Sequence, residues 1–172
     1  EEFSVHFEGR TSPGFDASIH LNRVGVVNQT TMLASDTQAI SDRIRLAIES
    51  KSSADQAFAN TRDTLCYATN DNQTATQTAL TAETLDMAVV VGGYNSSNTS
   101  HLVELCEDVV PTFFVKNEQE FKPDGWLHHF DWRTGVAQQT QDPWPEPSAG
   151  VPKILLTSGA SCPDATVDRV MH

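Results

Sequence analysis

Apolar residues along this chain gather in short runs, separated by polar stretches in which apolar positions recur every three or four residues. Met87 to Val91 is uninterrupted and predicts a buried strand. It stops at Gly92-Gly93 and passes through Tyr94-Asn95-Ser96-Ser97-Asn98. Leu102, Leu105, Cys106 and Val109 then fall on one side of a helix over about 97–109. Thr112 to Val115 is a further strand, and Ile154 to Thr157 is the last. Upstream, Val24 to Val27 predicts a short strand, and Ile40, Ile44, Ala47 and Ile48 form one helical face. The Ser35-to-Gln38 spacing matches a capping box, with Ser35 as N-cap. Thr64 to Ala68 reads as a strand, followed by a polar helix over about 71–80. Ser161 is expected to cap a final helix, with Pro163 in its first turn and Asp164 three residues after the cap.

Strands alternating with helices predict an α/β protein with parallel sheets flanked by helices. Ligands in such sheets gather beyond the C-terminal strand ends. Residues 1–23 show no periodicity, and Ser12-Pro13-Gly14 marks a turn. The small, polar stretch Lys51 to Asn60 reads as a linker and divides the chain into 1–58 and 59–172. Within the second part, residues 134–150 carry Gln138-Gln139, Pro143, Pro145 and Pro147, and predict an exposed insertion loop.

Composition narrows the partners. The 172 residues are 38% hydrophobic, enough for a substantial core. The formal charge is −12 and the pI about 4.7. Nucleic acid and anionic membranes, which need a basic face, are therefore not expected partners. An anionic ligand would be held locally, by helix ends and hydroxyls. No apolar run reaches transmembrane length. The chain opens with Glu1-Glu2, so a larger parent protein is expected. Three cysteines without paired spacing suggest a reducing compartment rather than a disulfide framework. Asn-x-Ser/Thr sequons at Asn28, Asn72, Asn95 and Asn98 are ascribed to chance in a chain this rich in Ser and Thr.

The candidate chemistry lies at four turns. After Val91, two glycines and the donors of Ser96, Ser97 and Asn98 lead into a helix N-terminus. Unpaired N–H groups and the helix dipole favour a phosphate or carboxylate there. Thr157-Ser158-Gly159-Ala160-Ser161 repeats the device. An ordinary capped turn explains either one alone; two in one sheet can converge on one ligand. Val27-Asn28-Gln29-Thr30-Thr31 ends a strand in amides and hydroxyls suited to a substrate hydroxyl and a proton relay, or forms a plain loop. Cys66, before a polar helix, is either a thiolate ligand or nucleophile, or a small buried hydrophobe. Cys106 reads as core, Cys162 sits at the mouth of the proposed anion site, and His128-His129 reads as surface rather than a metal pair. His101 is a weaker candidate for the anion site. A local metal site of Cys66, Cys106 and Cys162 is a further option.

Taken together, NQTTM (28–32), DTLCYAT (63–69) with Gln73, VVGGYNSSNTSHL (90–102) and TSGASCPD (157–164) resemble one family. They are similar to the C-terminal half of the 4-hydroxy-3-methylbut-2-enyl diphosphate reductases, the LytB iron–sulfur enzymes, in the spelling found in oxygenic phototrophs and related bacteria. The resemblance runs from about Val24 to Met171. It implies a three-domain α/β fold around a central cluster, with residues 1–58 ending the middle domain and 59–172 forming most of the third. It also implies reductive removal of a hydroxyl from an allylic diphosphate, giving isopentenyl and dimethylallyl diphosphate in the methylerythritol phosphate route. A ferredoxin or flavodoxin would donate the electrons, in a bacterial cytoplasm or plastid stroma. By motif, Cys66 would be one of three cysteine ligands of a [4Fe–4S] cluster. Ser96, Ser97, Asn98 and Ser161 would hold the diphosphate, and Thr30 with its neighbour Gln29 would stand near the substrate hydroxyl. The family's other two cluster cysteines, its catalytic glutamate and its diphosphate-binding histidines lie upstream of the residues seen here. The expectation is an enzyme fragment, inactive by itself; the alternative is a non-catalytic diphosphate-binding module.

Overall fold

A computed structural model describes residues 2–50, 58–59, 67–146 and 150–172. They form two compact units, Glu1–Gln29 with Ala34–Thr64, and Thr30–Leu33 with Leu65–His172.

The first unit contains α1 (Glu2–His6), α2 (Ala17–His20), β1 (Val24–Gly25), α3 (Ala34–Glu49) and β2 (Phe58–Ala59). Asp16 caps α2 by accepting from the Ser18 backbone N–H at 2.8 Å. Strands β1 and β2 pair in parallel, Val24 opposite Phe58. Two residues of the predicted linker are therefore strand; Lys51–Ala57 and Asn60 lie outside the described residues. Val26 and Val27 do not extend β1. Helix α3 starts at Ala34, which places Ser35 inside the first turn rather than at the cap. Gln38 accordingly reaches forward, donating to Asp42 Oδ1 at 2.9 Å, instead of back. Ile44 and Ile48 are half-buried, while Ile40 and Ala47 of the predicted face are exposed.

The second unit contains α4 (Tyr67–Ala82), β3 (Met87–Val91), α5 (Ser97–Glu107), β4 (Thr112–Val115), a 3-10 turn (Glu118–Glu120), β5 (Trp126–Asp131), β6 (Val136–Gln141), β7 (Ile154–Ser158) and α6 (Asp164–Met171). Its main sheet is parallel in the order β4-β3-β7. The strands were readable as apolar runs because both faces of β3 are covered. Ala88 and Val90 pack with Leu102, Val103, Cys106 and Phe114 on one side. Met87, Val89 and Val91 pack with Val115 and Leu127 on the other. The α/β class and parallel sheet expected from the sequence are thus what the chain forms.

Three local expectations fail for physical reasons. Tyr67 and Ala68 are helical, not strand, and Thr64–Cys66 lie outside the described residues. The polar helix expected over about 71–80 does form, but it begins at Tyr67, and its buried stripe is Thr69, Gln73, Thr76 and Leu80. The predicted loop 134–150 holds β6, which pairs antiparallel with β5 from Trp126–Gln141 to Asp131–Val136. Its turn closes at Gly135, whose φ of 70° suits glycine. Helix α6 begins at Asp164 with Pro163 as its N-cap, so Ser161 is not the cap. Pro163 is extended at ψ 135° and disfavours helical geometry in the residue before it, which holds the helix start beyond Ser161. Among the described residues, no helix is long and apolar enough to cross a membrane.

Candidate functional site

Strands β3 and β7 run side by side, with Val91 opposite Ser158. Their following turns therefore leave the sheet at the same edge. Each turn is tied to a neighbouring strand: Gly92 N–H donates to Val115 O at 3.0 Å, and Gly159 N–H to Val91 O at 3.1 Å. The chain crosses from β3 to β4 on one side and returns to β7 on the other. The strand order reverses at β3, the place where open α/β sheets bind ligands.

Ser96 caps α5, its Oγ accepting from Thr99 N–H at 3.3 Å and from Thr99 Oγ1 at 3.0 Å. Thr99 itself is 1% exposed. A Cβ on Gly92 would stand 2.7 Å from Thr99 Oγ1, and one on Gly159 would collide with the same atom. The two glycines thus let the first turn of α5 sit down on the ends of both strands. Helix α4 braces the second turn: Asn72 Nδ2 donates to Ser158 O at 3.0 Å, and the Thr76 and Thr157 hydroxyls are 3.1 Å apart.

The two turns line one cavity of about 370 Å³. Gly92, Gly93, Asn95 and Ser96 come from the first, and Ser161, Cys162 and Pro163 from the second. Lys116 and Asn117 follow β4, and Thr166 and Arg169 project from α6. Of the predicted anion ligands, Ser96 and Ser161 are brought together here. Asn98 is 6% exposed, and its Oδ1 is buried without a hydrogen-bond partner among the described residues. Ser97 is exposed and does not line the cavity, nor does His101, whose Nδ1 is 3.3 Å from Glu104 Oε2.

Lys116 and Arg169 escaped the sequence reading. A local signal was present: Lys116 follows a strand parallel to β3, and Thr166 and Arg169 stand three residues apart on α6, in step with its N-cap Pro163. Arg169 Nε pairs with Glu118 Oε1 at 3.0 Å, and its Nη2 donates to Thr166 Oγ1 at 3.3 Å. A hydrogen bond from its own backbone N–H, followed by the Arg169 contact, holds the Glu118 carboxyl below its usual range.

The remaining predicted residues stand apart. Gln29 belongs to the first unit and Thr30 to the second. Thr30 does not line the cavity, but its segment is anchored: Gln73, 5% exposed, donates from Nε2 to Met32 O at 3.2 Å. Cys66 lies outside the described residues. Cys106 is fully buried in the core, where desolvation and then Glu107 push its thiol up to about 12. Burial, then Asp164, also raises Cys162. Neither environment favours the thiolate that an iron–sulfur cluster needs. Among the described residues, no three His, Cys, Asp or Glu side chains come together as a metal site. The described residues alone therefore do not fit a cluster; Cys106 lies in one core cluster and Cys162 packs against the other, and Cys66, the third cysteine of the local-site option, lies outside the described residues. His128 and His129 lie on β5, and His129 is half-buried, 2.9 Å from Thr140 Oγ1 and edge-on to Phe113.

A family model described as LytB protein matches residues 5–172. The chain is 38% identical over 176 residues to a 4-hydroxy-3-methylbut-2-enyl diphosphate reductase of a Synechococcus strain, covering all of this chain and 43% of the relative. It is 38% identical over 180 residues to the chloroplastic reductase of Botryococcus braunii, covering all of this chain and 35% of that one. The chain thus spans less than half the length of these relatives. A solved Plasmodium falciparum E-1-hydroxy-2-methyl-but-2-enyl-4-diphosphate reductase shares the fold, with TM-score 0.59 and 23% identity over 87% of this chain and 38% of that one.

Proposed function

This chain belongs to the LytB family, and on that premise we propose that it is part of a 4-hydroxy-3-methylbut-2-enyl diphosphate reductase, supplying the surface on which the diphosphate rests. The observation that carries the reading is the convergence of Ser96 and Ser161 on one cavity at the C-terminal ends of adjacent parallel strands. Hydroxyl donors and the N-terminus of α5 meet there, the arrangement a phosphoryl group needs. Ser97 and Asn98, in the first turn of the same helix but outside this cavity's lining, are proposed as further anion contacts. Thr30, on the segment held by Gln73, is proposed as the catalytic residue beside the substrate hydroxyl, with Gln29 next to it.

The reaction proposed consumes two electrons and two protons, breaks the allylic C–O bond and releases water. The products are isopentenyl and dimethylallyl diphosphate. Cys66 is proposed as one of three cysteine ligands of a [4Fe–4S] cluster, which would supply the electrons. A ferredoxin or flavodoxin is the proposed donor, and a bacterial cytoplasm or plastid stroma the proposed compartment. Residues 1–58 are assigned to the end of a middle α/β domain, and 59–172 to a C-terminal one.

The test is anaerobic turnover of the full-length protein with the allylic diphosphate and a reduced donor. Ser96→Ala/Ser161→Ala should raise KM, and Cys66→Ser should lower iron content together with kcat. Wild-type iron and turnover in Cys66→Ser would remove the ligand assignment. Diphosphate binding without any reduction would favour a non-catalytic module instead.

A further inference from the structure

The cavity differs from the rest of the molecule in charge. The chain carries 23 acidic residues against 11 Lys and Arg. Yet two cations, Lys116 and Arg169, line this one cavity, and no described Asp or Glu does. The two arrive on separate elements, Lys116 just beyond β4 and Arg169 on α6, whose guanidinium meets Glu118 in the turn that follows β4. In a chain of this sign, two cations and no carboxylate on one lining favour an anion there, with Glu118 offsetting part of the Arg169 charge and Asp164 acting on the lining residue Cys162.

Arg169 is also oriented. Its Nε is held by Glu118, and its Nη2 by Thr166. A guanidinium carries five N–H donors, so these two bonds leave others for a ligand. Glu118 meets Arg169 through Oε1, while its Oε2 is buried and has no hydrogen-bond partner among the described residues. The carboxylate thus braces the guanidinium from outside the cavity lining.

We infer that Lys116 and Arg169 bind the phosphoryl oxygens of the ligand in this cavity, as a cationic pair added to the hydroxyls of Ser96 and Ser161, with Glu118 positioning Arg169. The inference rests on the reading of this cavity as the diphosphate site and specifies how the charge is met. Within this cavity, the Ser96 and Ser161 hydroxyls and one helix end offset only part of the charge of a diphosphate. Lys116 acts as a mobile point charge, and Arg169 as a fixed fork.

The test is calorimetric titration of inorganic pyrophosphate into the full-length protein and its variants, with circular dichroism to confirm folding. Lys116→Gln and Arg169→Gln should each weaken binding about tenfold, the range of one charged hydrogen bond. Both should flatten the salt dependence of affinity. Arg169→Lys, keeping charge without the fork, should fall between wild type and Arg169→Gln. Wild-type affinity in Lys116→Gln/Arg169→Gln, alongside loss of affinity in Ser96→Ala/Ser161→Ala, overturns the cationic pair and leaves the diphosphate site standing. Unchanged affinity in both double variants, or no binding by the wild type, removes both.

Discussion

Thr99 Oγ1 occupies the space that a side chain on Gly159 would need. It also lies 2.7 Å from where a Cβ on Gly92 would be. The glycines that mark the two turns in the sequence therefore answer first to a buried threonine, which links Ser96 to both strand ends. Glycine at Gly92 and Gly159 serves close packing, and neither has a positive φ. Gly159→Ala should destabilise the protein by about 1–3 kcal/mol, the usual cost of overfilling a packed site. Thr99→Ala in the same chain should restore part of that loss, because it removes the atom the new methyl meets. Urea denaturation of the single and double variants reads this coupling. Strict additivity would show that the two positions do not share the space.

Gln73 links α4 to the segment carrying Thr30 through the Met32 carbonyl. The amide is buried, and the acceptor needs a replacement donor if it is removed. Gln73→Leu should cost about 1–3 kcal/mol in stability, the penalty for stranding a buried polar group. It should also lower kcat in the full-length protein more than it weakens pyrophosphate binding, since the cavity is formed by other turns. Equal loss of both would mean Gln73 supports the whole unit rather than that segment.

The sheet was legible because β3, β4 and β7 are short apolar runs, and β3 is covered on both faces. Strand β6 was not. Val136, Ala137, Gln138, Gln139 and Gln141 are all exposed, and Thr140 is only half-buried, so no alternation of apolar and polar residues marks it. Ser96 and Ser161 were readable from local turn chemistry. Lys116 and Arg169 were passed over: each follows a local cue, a strand end and an i, i+3 spacing, but only the order β4-β3-β7 and the placement of α6 bring them to one cavity. Ser161 was read as a cap because Ser before Pro and Asp fits that role locally. The extended Pro163 moves the helix start past it and leaves Ser161 among the cavity-lining residues.

The Glu118–Arg169 pair makes a definite acid response. Glu118 is held below its usual value by its own backbone N–H and by Arg169. A carboxylate depressed in the folded state stabilises that state above its unfolded pKa, and the contribution fades as pH falls through the folded value. The pair's share should be fully present at neutral pH and should begin to disappear as pH falls below the ordinary pKa of a glutamate. Arg169→Gln should remove that part of the acid dependence while leaving the neutral-pH melting temperature little changed, because exposed ion pairs contribute little. Melting curves between pH 3 and 7 would reveal it. An acid limb unaltered by Arg169→Gln would show that the pair does not set the Glu118 titration.

Cys106 and Cys162 offer a direct probe of the cavity. Both thiols are raised, Cys106 up to about 12 by desolvation in the core, and Cys162 chiefly by partial burial. Thiolate is the reacting species, so both should alkylate more slowly than free cysteine at pH 8.5. Access separates them: Cys106 is fully buried, whereas Cys162 is part-exposed and lines the cavity beside Ser161. Iodoacetamide labelling, resolved by peptide mass spectrometry, should modify Cys162 and spare Cys106 in the folded protein. Saturating pyrophosphate should then slow Cys162 alone, because an anion held by Ser96 and Ser161 covers the approach to its sulfur. Labelling of Cys162 at one rate with and without pyrophosphate, in a protein shown to bind it, would place the anion elsewhere.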